Sequence, residues 1–180
     1  MDRYQKWRDA RRFPSSVLPP ALRGTLLAPG SLTAQLKARC PGRFAVHLLR
    51  HDKVRIIGED ARLLGLPQAA PGRVREVYLY CGDRPVVFAH SILPTQALQG
   101  GWQYLTGLGS RPLGEVLFSD KTVRRGKIEV TQLRPGSALY AQVLARSSTK
   151  RPPSVWGRRS LFYLPQGALM VCEFFLPDFF

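Results

Sequence analysis

The residues VREVYLYC at positions 74–81 are followed by the turn residues Gly82-Asp83 and by PVVFAHSIL at positions 85–93. Both runs are rich in the β-branched and aromatic residues that favour strands. Two strands joined by so short a turn must run antiparallel. The segment therefore predicts a β-hairpin in the middle of the chain.

Further strand-like runs lie on both sides of this hairpin, at 44–57, 127–133, 138–145, 160–164 and 168–176. Helical patterns are shorter, and the clearest follows the N-cap residue Ser31. Helices are predicted at 32–39 and, more weakly, at 2–12, 95–108 and 112–118. Consecutive hairpin-linked strands with a few interspersed helices predict an α+β fold built on an antiparallel sheet.

Length and charge limit the possibilities. The chain has 180 residues, 44% of them hydrophobic, so a disordered chain is excluded. We expect a single domain over residues 1–180, with 1–14 as a basic N-terminal arm. The net charge of +15 indicates a polyanionic partner. Nucleic acid, an acidic membrane face and a small polyanion all remain open at this point.

The sequence argues against a membrane-inserted, secreted, disulfide-rich or metal-binding protein. The uncharged run 86–110 contains Pro94 and several Gly and Gln residues, and the N-terminus lacks the apolar core of a signal peptide. We therefore expect no membrane insertion and a soluble cytoplasmic protein. Widely spaced cysteines and histidines predict neither a disulfide framework nor a metal site, and the two cysteines in strand-like runs, Cys81 and Cys172, are predicted to be small buried apolar residues.

Several motifs that mark enzymes and nucleic-acid-binding proteins are missing from the sequence. The sequence has no glycine-rich phosphate loop, no Walker pattern and no G-x-S-x-G elbow, which disfavours nucleotide-dependent chemistry and serine hydrolysis. No helix-turn-helix, zinc-finger or RNA-binding signature accompanies the basic clusters, so we expect no specific nucleic-acid partner. Most of these clusters are predicted to be solvated; they are Arg11-Arg12, Lys121 with Arg124-Arg125 and Lys127, Lys150-Arg151, and Arg158-Arg159.

Glu173 stands out among only 12 acidic residues, because it lies in LMVCEFFLP at 169–177, a run that is apolar on both faces. A carboxylate in a strand buried on both sides must be paired, protonated or exposed to a cavity. The alternative is an outward position on an edge strand. The pattern favours a carboxylate in a closed site.

Arg75 is the complementary case. Alternation along 74–81 places it on the same strand face as Val77, Leu79 and Cys81. A guanidinium in an apolar pocket suits bidentate recognition of a carboxylate. Spacing alone equally allows an arginine at the end of a strand that extends its charge to solvent.

Four short motifs occur in an order and spacing that resemble the chorismate lyase family. They are VREV at 74–77 leading into the hairpin, PLG at 112–114 with Leu117-Phe118, VWGRRS at 155–160, and EFFLP at 173–177. The resemblance covers roughly residues 15–178. It implies one α+β domain whose helices form flaps over an enclosed ligand pocket, and a monomer that needs neither cofactor nor metal.

The resemblance also implies the reaction and the site. Chorismate is converted to 4-hydroxybenzoate and pyruvate, the first committed step towards ubiquinone. The family's ring-carboxylate arginine falls on Arg75, and the glutamate near the 4-hydroxyl falls on Glu173. Backbone contacts to the product carboxylate fall on Leu32 and Leu113.

Two further hypotheses concern the second carboxylate of the substrate and a function without catalysis. One or more of Lys150, Arg151, Arg158 and Arg159 is expected to face the enolpyruvyl carboxylate. The alternative to an enzyme is a domain that binds an aromatic acid without converting it, like the effector-sensing domains of some bacterial regulators.

Overall fold

The structure is a computed structural model that describes residues 6–14, 16–40, 43–147 and 151–179. Its strands are β1 (Arg8–Asp9), β2 (Phe44–Ile56), β3 (Ala70–Cys81), β4 (Arg84–Pro94), β5 (Arg124–Arg125), β6 (Glu129–Leu133), β7 (Val155–Leu164) and β8 (Gly167–Phe175). Its α-helices are α1 (Pro20–Leu27), α2 (Leu32–Arg39), α3 (Gly58–Leu63), α4 (Leu113–Ser119) and α5 (Ala138–Val143).

The strands form one antiparallel sheet of eight strands in the order β1-β6-β7-β8-β4-β3-β2, with β5 also paired to β7. The predicted hairpin is β3–β4, in which Val77 lies opposite Ala89. β8 lies between β4 and β7, so Glu173 is on an interior strand and not at an edge. The predicted α+β fold on an antiparallel sheet is confirmed.

Helices cover both faces of the sheet. On one face, Leu26 of α1 and Leu32 and Leu36 of α2 pack with Val77 and Leu79 of β3. On the other face, α3 and α5 pack against Tyr78, Phe88 and Phe174. Successive residues of each strand point to opposite faces. The face under α1, α2 and α4 carries Arg75 and Glu173.

Residues 138–145 were predicted to be a strand, and this is wrong. Residues 138–143 form α5, because the Ser137 side chain accepts a hydrogen bond from the Tyr140 N–H at 3.0 Å and caps the first turn. The buried residues Tyr140, Val143 and Leu144 follow the three- and four-residue spacing of a helix.

The helix predicted at 2–12 is also absent where the chain is described. Residues 8–9 form β1, which pairs with β6, and residues 10–12 form a single 3-10 turn. The Ala10 N–H donates to the Ile128 carbonyl at 2.9 Å, so the arm adds a short strand to the sheet edge. Residues 1–5 lie outside the described residues. The predicted weak helix at 95–108 is a pair of 3-10 segments.

Cys40 and Cys81 form a disulfide bond, so the prediction of no disulfide, and of Cys81 as a free buried residue, is wrong. Antiparallel pairing of β2 with β3 places Phe44 opposite Cys81. Cys40 is the C-cap of α2, just before β2, and its Cα lies 5.3 Å from that of Cys81. Cys172 is free and buried, as predicted.

Gly157 lies where β7 meets the aromatic interior of β8. A Cβ at this position would lie 2.4 Å from Cδ1 of Phe174, a side chain with no exposed surface. We expect Gly157→Ala to lower the free energy of unfolding by about 1–3 kcal/mol, because overfilling a packed core forces its side chains out of place.

Urea denaturation followed by circular dichroism measures this change. Gly107→Ala is the matched control, because a Cβ at Gly107 meets nothing within 4 Å. Equal stability of the two variants would contradict the predicted clash.

Candidate active site

A small cavity of about 40 Å³ lies between one face of the sheet and the first residues of α2 and α4. Its floor comes from β3, β4, β7 and β8, and its cover from the two helices. Its polar lining is Thr33, Arg75, Ser91, Arg125, Arg158 and Glu173. The cavity thus collects, from distant parts of the chain, both charged residues that the sequence singled out.

Arg75 is held inside the protein. Its side chain is among the buried polar groups, with 2% of the residue exposed, so it does not reach solvent. Its Nη2 donates to the carbonyls of Gly109 and Arg111, both at 2.9 Å. Its Nε is buried without a hydrogen-bond partner among the described residues. Burial lowers the pKa of Arg75 to about 10, which leaves it charged at neutral pH.

Glu173 faces the same cavity and is paired. Its Oε2 accepts a hydrogen bond from Nε of Arg158 at 2.6 Å across the β7–β8 pair. Arg158 is 1% exposed, and its Nη1 also donates to the carbonyls of Thr25 and Ala28. A carboxylate has two acceptor oxygens, so Glu173 can also accept a hydrogen bond from a ligand.

The two helices that cover the cavity meet at their N-termini. Leu32 and Leu113 are the first residues of α2 and α4, and both are buried and line the cavity. The first N–H groups of a helix have no acceptor within it and can bind an anion. A Cβ on Gly114 would come within 3.2 Å of Thr33 Oγ1, so the helix ends are close. An ion pair between Lys37 and Glu115 links the two helices at the surface.

Arg125 was missed as a site residue by the sequence. It lines the cavity from β5, where it lies opposite Phe162 of β7. Its Nη1 donates to the carbonyls of Ala28, Pro29 and Gly30 in the loop between α1 and α2. Burial is the main cause that lowers the pKa of Arg125 to about 10. Within a run of basic residues, no sequence signal distinguished it from its solvated neighbours.

The other basic candidates are placed less favourably. Arg159 points to the opposite side of β7, where its Nε donates to Glu129 at 2.7 Å and its Nη1 to Glu59 at 3.3 Å. Arg151 is exposed and does not line the cavity. Lys150 lies outside the described residues. Of the three candidates among the described residues, Arg158 alone lines the cavity, and Glu173 already pairs with it.

Among the described residues, no group of three or more His, Cys, Asp or Glu side chains is arranged to hold a metal ion. No helix in the same part of the chain has the length and hydropathy needed to cross a membrane.

A family model described as chorismate lyase matches residues 4–180, nearly the whole chain. The chain belongs to the chorismate lyase family. The match includes both covering helices and all the strands that line the cavity, so the cavity lies within the chorismate lyase region.

Relatives in the chorismate lyase family are similar over most of their length. A probable chorismate pyruvate-lyase of Nitrosospira multiformis is 38% identical over 165 residues, which cover 92% of this chain and 91% of the relative. A probable chorismate pyruvate-lyase of an Azoarcus strain is 43% identical over 160 residues, covering 87% of this chain and 84% of the relative.

Solved structures share the fold of this chorismate lyase family member at low identity. The effector domain of PhnF from Mycobacterium smegmatis superposes with a TM-score of 0.64 at 17% identity, covering 84% of this chain and 91% of that domain. The ligand-binding domain of a putative GntR-family regulator from Bordetella bronchiseptica gives 0.56 at 18% identity, covering 76% and 85%. At such identities these likenesses show the fold alone.

Proposed function

We propose that this chain converts chorismate to 4-hydroxybenzoate and pyruvate in the cavity under α2 and α4. It is a carbon–oxygen lyase, and it works without a cofactor. The observation that carries the proposal is the set of charges in this cavity: Arg75, which has no carboxylate partner among the described residues, and the paired carboxylate of Glu173. Membership of the chorismate lyase family supports it independently.

The reaction needs little from the protein beyond position and charge. The ether bond to the enolpyruvyl group breaks, and its electron pair leaves with the enolpyruvyl oxygen. The C4–H electrons form the new ring double bond, and the proton ends on the methylene carbon, which gives pyruvate. Because the ring becomes aromatic, the reaction is downhill. A dry pocket with fixed charges therefore suffices, and no nucleophile is required.

Arg75 anchors the ring carboxylate in this proposal. Its planar guanidinium can form two parallel hydrogen bonds to a carboxylate, and its buried Nε has a hydrogen that no described residue uses. The ligand would replace the backbone carbonyls of Gly109 and Arg111, which now accept from Nη2. Backbone N–H groups at Leu32 and Leu113 complete the carboxylate site.

Glu173 orients the 4-hydroxyl group. It lies on β8 opposite Ala89 of β4, while Arg75 on β3 lies opposite Ser91 of β4, so the two side chains share one face of three neighbouring strands. A para-substituted ring between them has its carboxylate at one end and its hydroxyl at the other. As a carboxylate, Glu173 accepts the hydrogen bond of that hydroxyl.

The two covering helices act as flaps. A cavity of about 40 Å³ is far smaller than the roughly 300 Å³ or more of ordinary ligand pockets. The cavity under α2 and α4 is therefore too small for the substrate in this conformation. Ligand binding requires the two helices to separate. Movement of such a cover often limits the rate of product release.

The direct test is to mix purified protein with fresh chorismate and follow the ultraviolet spectrum of 4-hydroxybenzoate. Lactate dehydrogenase and NADH report pyruvate in a parallel sample. We expect equal amounts of the two products. Binding of 4-hydroxybenzoate without turnover of chorismate would instead support the effector-binding alternative and overturn the lyase proposal.

The lowered pKa of Arg75 predicts a pH limit for binding. Benzoate is a suitable probe because it has the carboxylate but no ionisable hydroxyl. We expect its affinity to be constant from pH 7 to about 9 and to fall as the pH passes about 10, where the guanidinium loses its proton. An ordinary arginine would hold benzoate to much higher pH. Isothermal titration across this range measures the change.

Deprotonation of Arg75 does not itself unfold the protein, so unfolding from this cause does not explain the loss of benzoate affinity. Above about pH 10, and up to the higher pKa of an arginine in the unfolded chain, the unfolded chain binds the proton that folded Arg75 has released. Stability rises with pH wherever the unfolded state binds more protons, so this group favours folding more as the pH rises. Circular dichroism at each pH checks the whole chain, and unchanged benzoate affinity at pH 11 in folded protein would contradict the prediction.

We propose one domain over residues 1–180, a monomer, a cytoplasmic location and no specific nucleic-acid partner, with chorismate and 4-hydroxybenzoate as the small-molecule ligands. The family resemblance supports the single domain and the monomer, and the sequence motifs that are missing support the lack of a specific nucleic-acid partner. The +15 charge then serves to attract a dianionic substrate. Size-exclusion chromatography with light scattering tests the monomer.

A further inference from the structure

The charges around the cavity do not balance. Three arginines and one glutamate line it, namely Arg75, Arg125, Arg158 and Glu173. Glu173 pairs with Arg158 at 2.6 Å. Within the described ranges, neither Arg75 nor Arg125 has a carboxylate at ion-pair distance. Two positive charges are therefore left for a ligand, which matches the two carboxylates of a dianion.

Arg125 lies where it can hold the second of those carboxylates. Its guanidinium carbon lies 5.8 Å from the ring centre of Phe118 and 5.5 Å from that of Phe162, which limits its contact with water. Its Nε donates to Ser160 Oγ at 3.0 Å, which fixes the plane of the guanidinium. A partly dehydrated cation in a fixed orientation binds a carboxylate more strongly than a solvated one.

The present partners of Arg125 are ones that a ligand can replace. Its Nη1 is shared among three backbone carbonyls, of Ala28, Pro29 and Gly30, at 3.2, 2.9 and 3.3 Å. These belong to the loop that leads into α2, just as Gly109 and Arg111 belong to the segment that leads into α4. Arg75 and Arg125, which have no carboxylate partner among the described residues, thus each hold the loop that precedes one flap.

We propose that Arg125 binds the enolpyruvyl carboxylate of the substrate while Arg75 binds the ring carboxylate. This inference rests on the proposed function. Each substrate carboxylate replaces the backbone carbonyls that accept hydrogen bonds from one of these arginines. Binding of the dianion therefore releases the two loops that precede α2 and α4. Both loops then close again around the ligand. Arg125 takes the role that the sequence assigned to Lys150, Arg151, Arg158 or Arg159.

A comparison of substrate with product shows whether Arg125 binds the enolpyruvyl carboxylate specifically or contributes to the binding of any ligand. Chorismate carries two carboxylates, whereas 4-hydroxybenzoate carries only the one that Arg75 binds. We expect Arg125→Gln to lower kcat/KM for chorismate by about 10- to 100-fold, the usual effect of losing hydrogen bonds between charged groups. The dissociation constant of 4-hydroxybenzoate should change by no more than about threefold. Arg125→Lys, which keeps the charge, should recover part of the lost activity.

Arg124→Gln is the matched control, because Arg124 is the adjacent residue on β5 and is exposed. It should leave both measurements near the values of the unmodified protein. Binding of 4-hydroxybenzoate by Arg125→Gln also shows that this variant folds, and a variant that does not fold is replaced by Arg125→Lys in the same comparison.

Two results would overturn the inference. One is unchanged kcat/KM for chorismate in Arg125→Gln, and the other is an equal loss of affinity for substrate and product. Failure of the proposed function is distinct, because then the unmodified protein itself would form no 4-hydroxybenzoate.

Discussion

An Arg75→Ala variant is expected to lose most of its activity, with kcat/KM for chorismate lowered by about 30- to 4,000-fold. This range corresponds to the roughly 2–5 kcal/mol that truncating one partner of a buried, hydrogen-bonded charge pair costs. Arg75 is 2% exposed and faces the cavity, so little water is available to replace its contacts with a carboxylate. Unlike Arg125, it should affect substrate and product alike.

Steady-state kinetics with chorismate and titration with 4-hydroxybenzoate measure the two effects. Arg73→Ala is the control, since Arg73 lies two residues earlier on β3 but outside the cavity lining. Removing Arg75 also leaves the Gly109 and Arg111 carbonyls without their donor, so thermal unfolding is recorded for both variants. Normal product affinity in a folded Arg75→Ala protein would refute the anchoring role.

Glu173→Gln is expected to lower kcat by about 10²- to 10⁴-fold, the range over which groups that orient or move protons contribute to catalysis. Glutamine has the same shape but no negative charge. It leaves Arg158 with a positive charge, 1% exposed, whose carboxylate partner is gone. It also gives the 4-hydroxyl group a weaker acceptor.

Glu129→Gln provides a close control for this prediction. Glu129 pairs with Arg159 at 2.7 Å on the opposite side of β7, much as Glu173 pairs with Arg158. The two substitutions remove the same charge from similar ion pairs, so their effects on stability should be comparable, while only the change at Glu173 should affect turnover. Unchanged kcat in Glu173→Gln would exclude both orientation of the hydroxyl and a part in proton movement.

The sequence predicted the elements whose signals are local. The β3–β4 hairpin and the helix after Ser31 were predicted because alternation, a short turn and an N-cap all lie within a few residues of one another. Residues 138–145 were assigned wrongly: Tyr140 and Val143 favour a strand, but the three Ala, two Leu and one Gln of this segment favour a helix. Capping by Ser137 and packing of Tyr140 and Val143 decided for a helix.

Sequence analysis found those site residues whose charge is unusual for the apolar strand in which they lie. Arg75 and Glu173 stood out because a charge in an apolar strand is costly unless something pairs with it. Their roles also depended on family resemblance, which gave Leu32 and Leu113 as well. Arg125 carried no such conflict, since it is one of several basic residues between 121 and 127.

By itself, the sequence determined the α+β class and the central hairpin. It also singled out Arg75 and Glu173, two charged residues in apolar strands, where an unpaired charge is costly. Only the tertiary structure decided which charges meet. Pairing of β7 with β8 matches Glu173 with Arg158, and pairing of β5 with β7 brings Arg125 to the cavity that Arg75 also lines. The physical reason is that strand patterns are set by neighbouring residues, whereas charge balance in a cavity depends on the register between strands far apart in the chain.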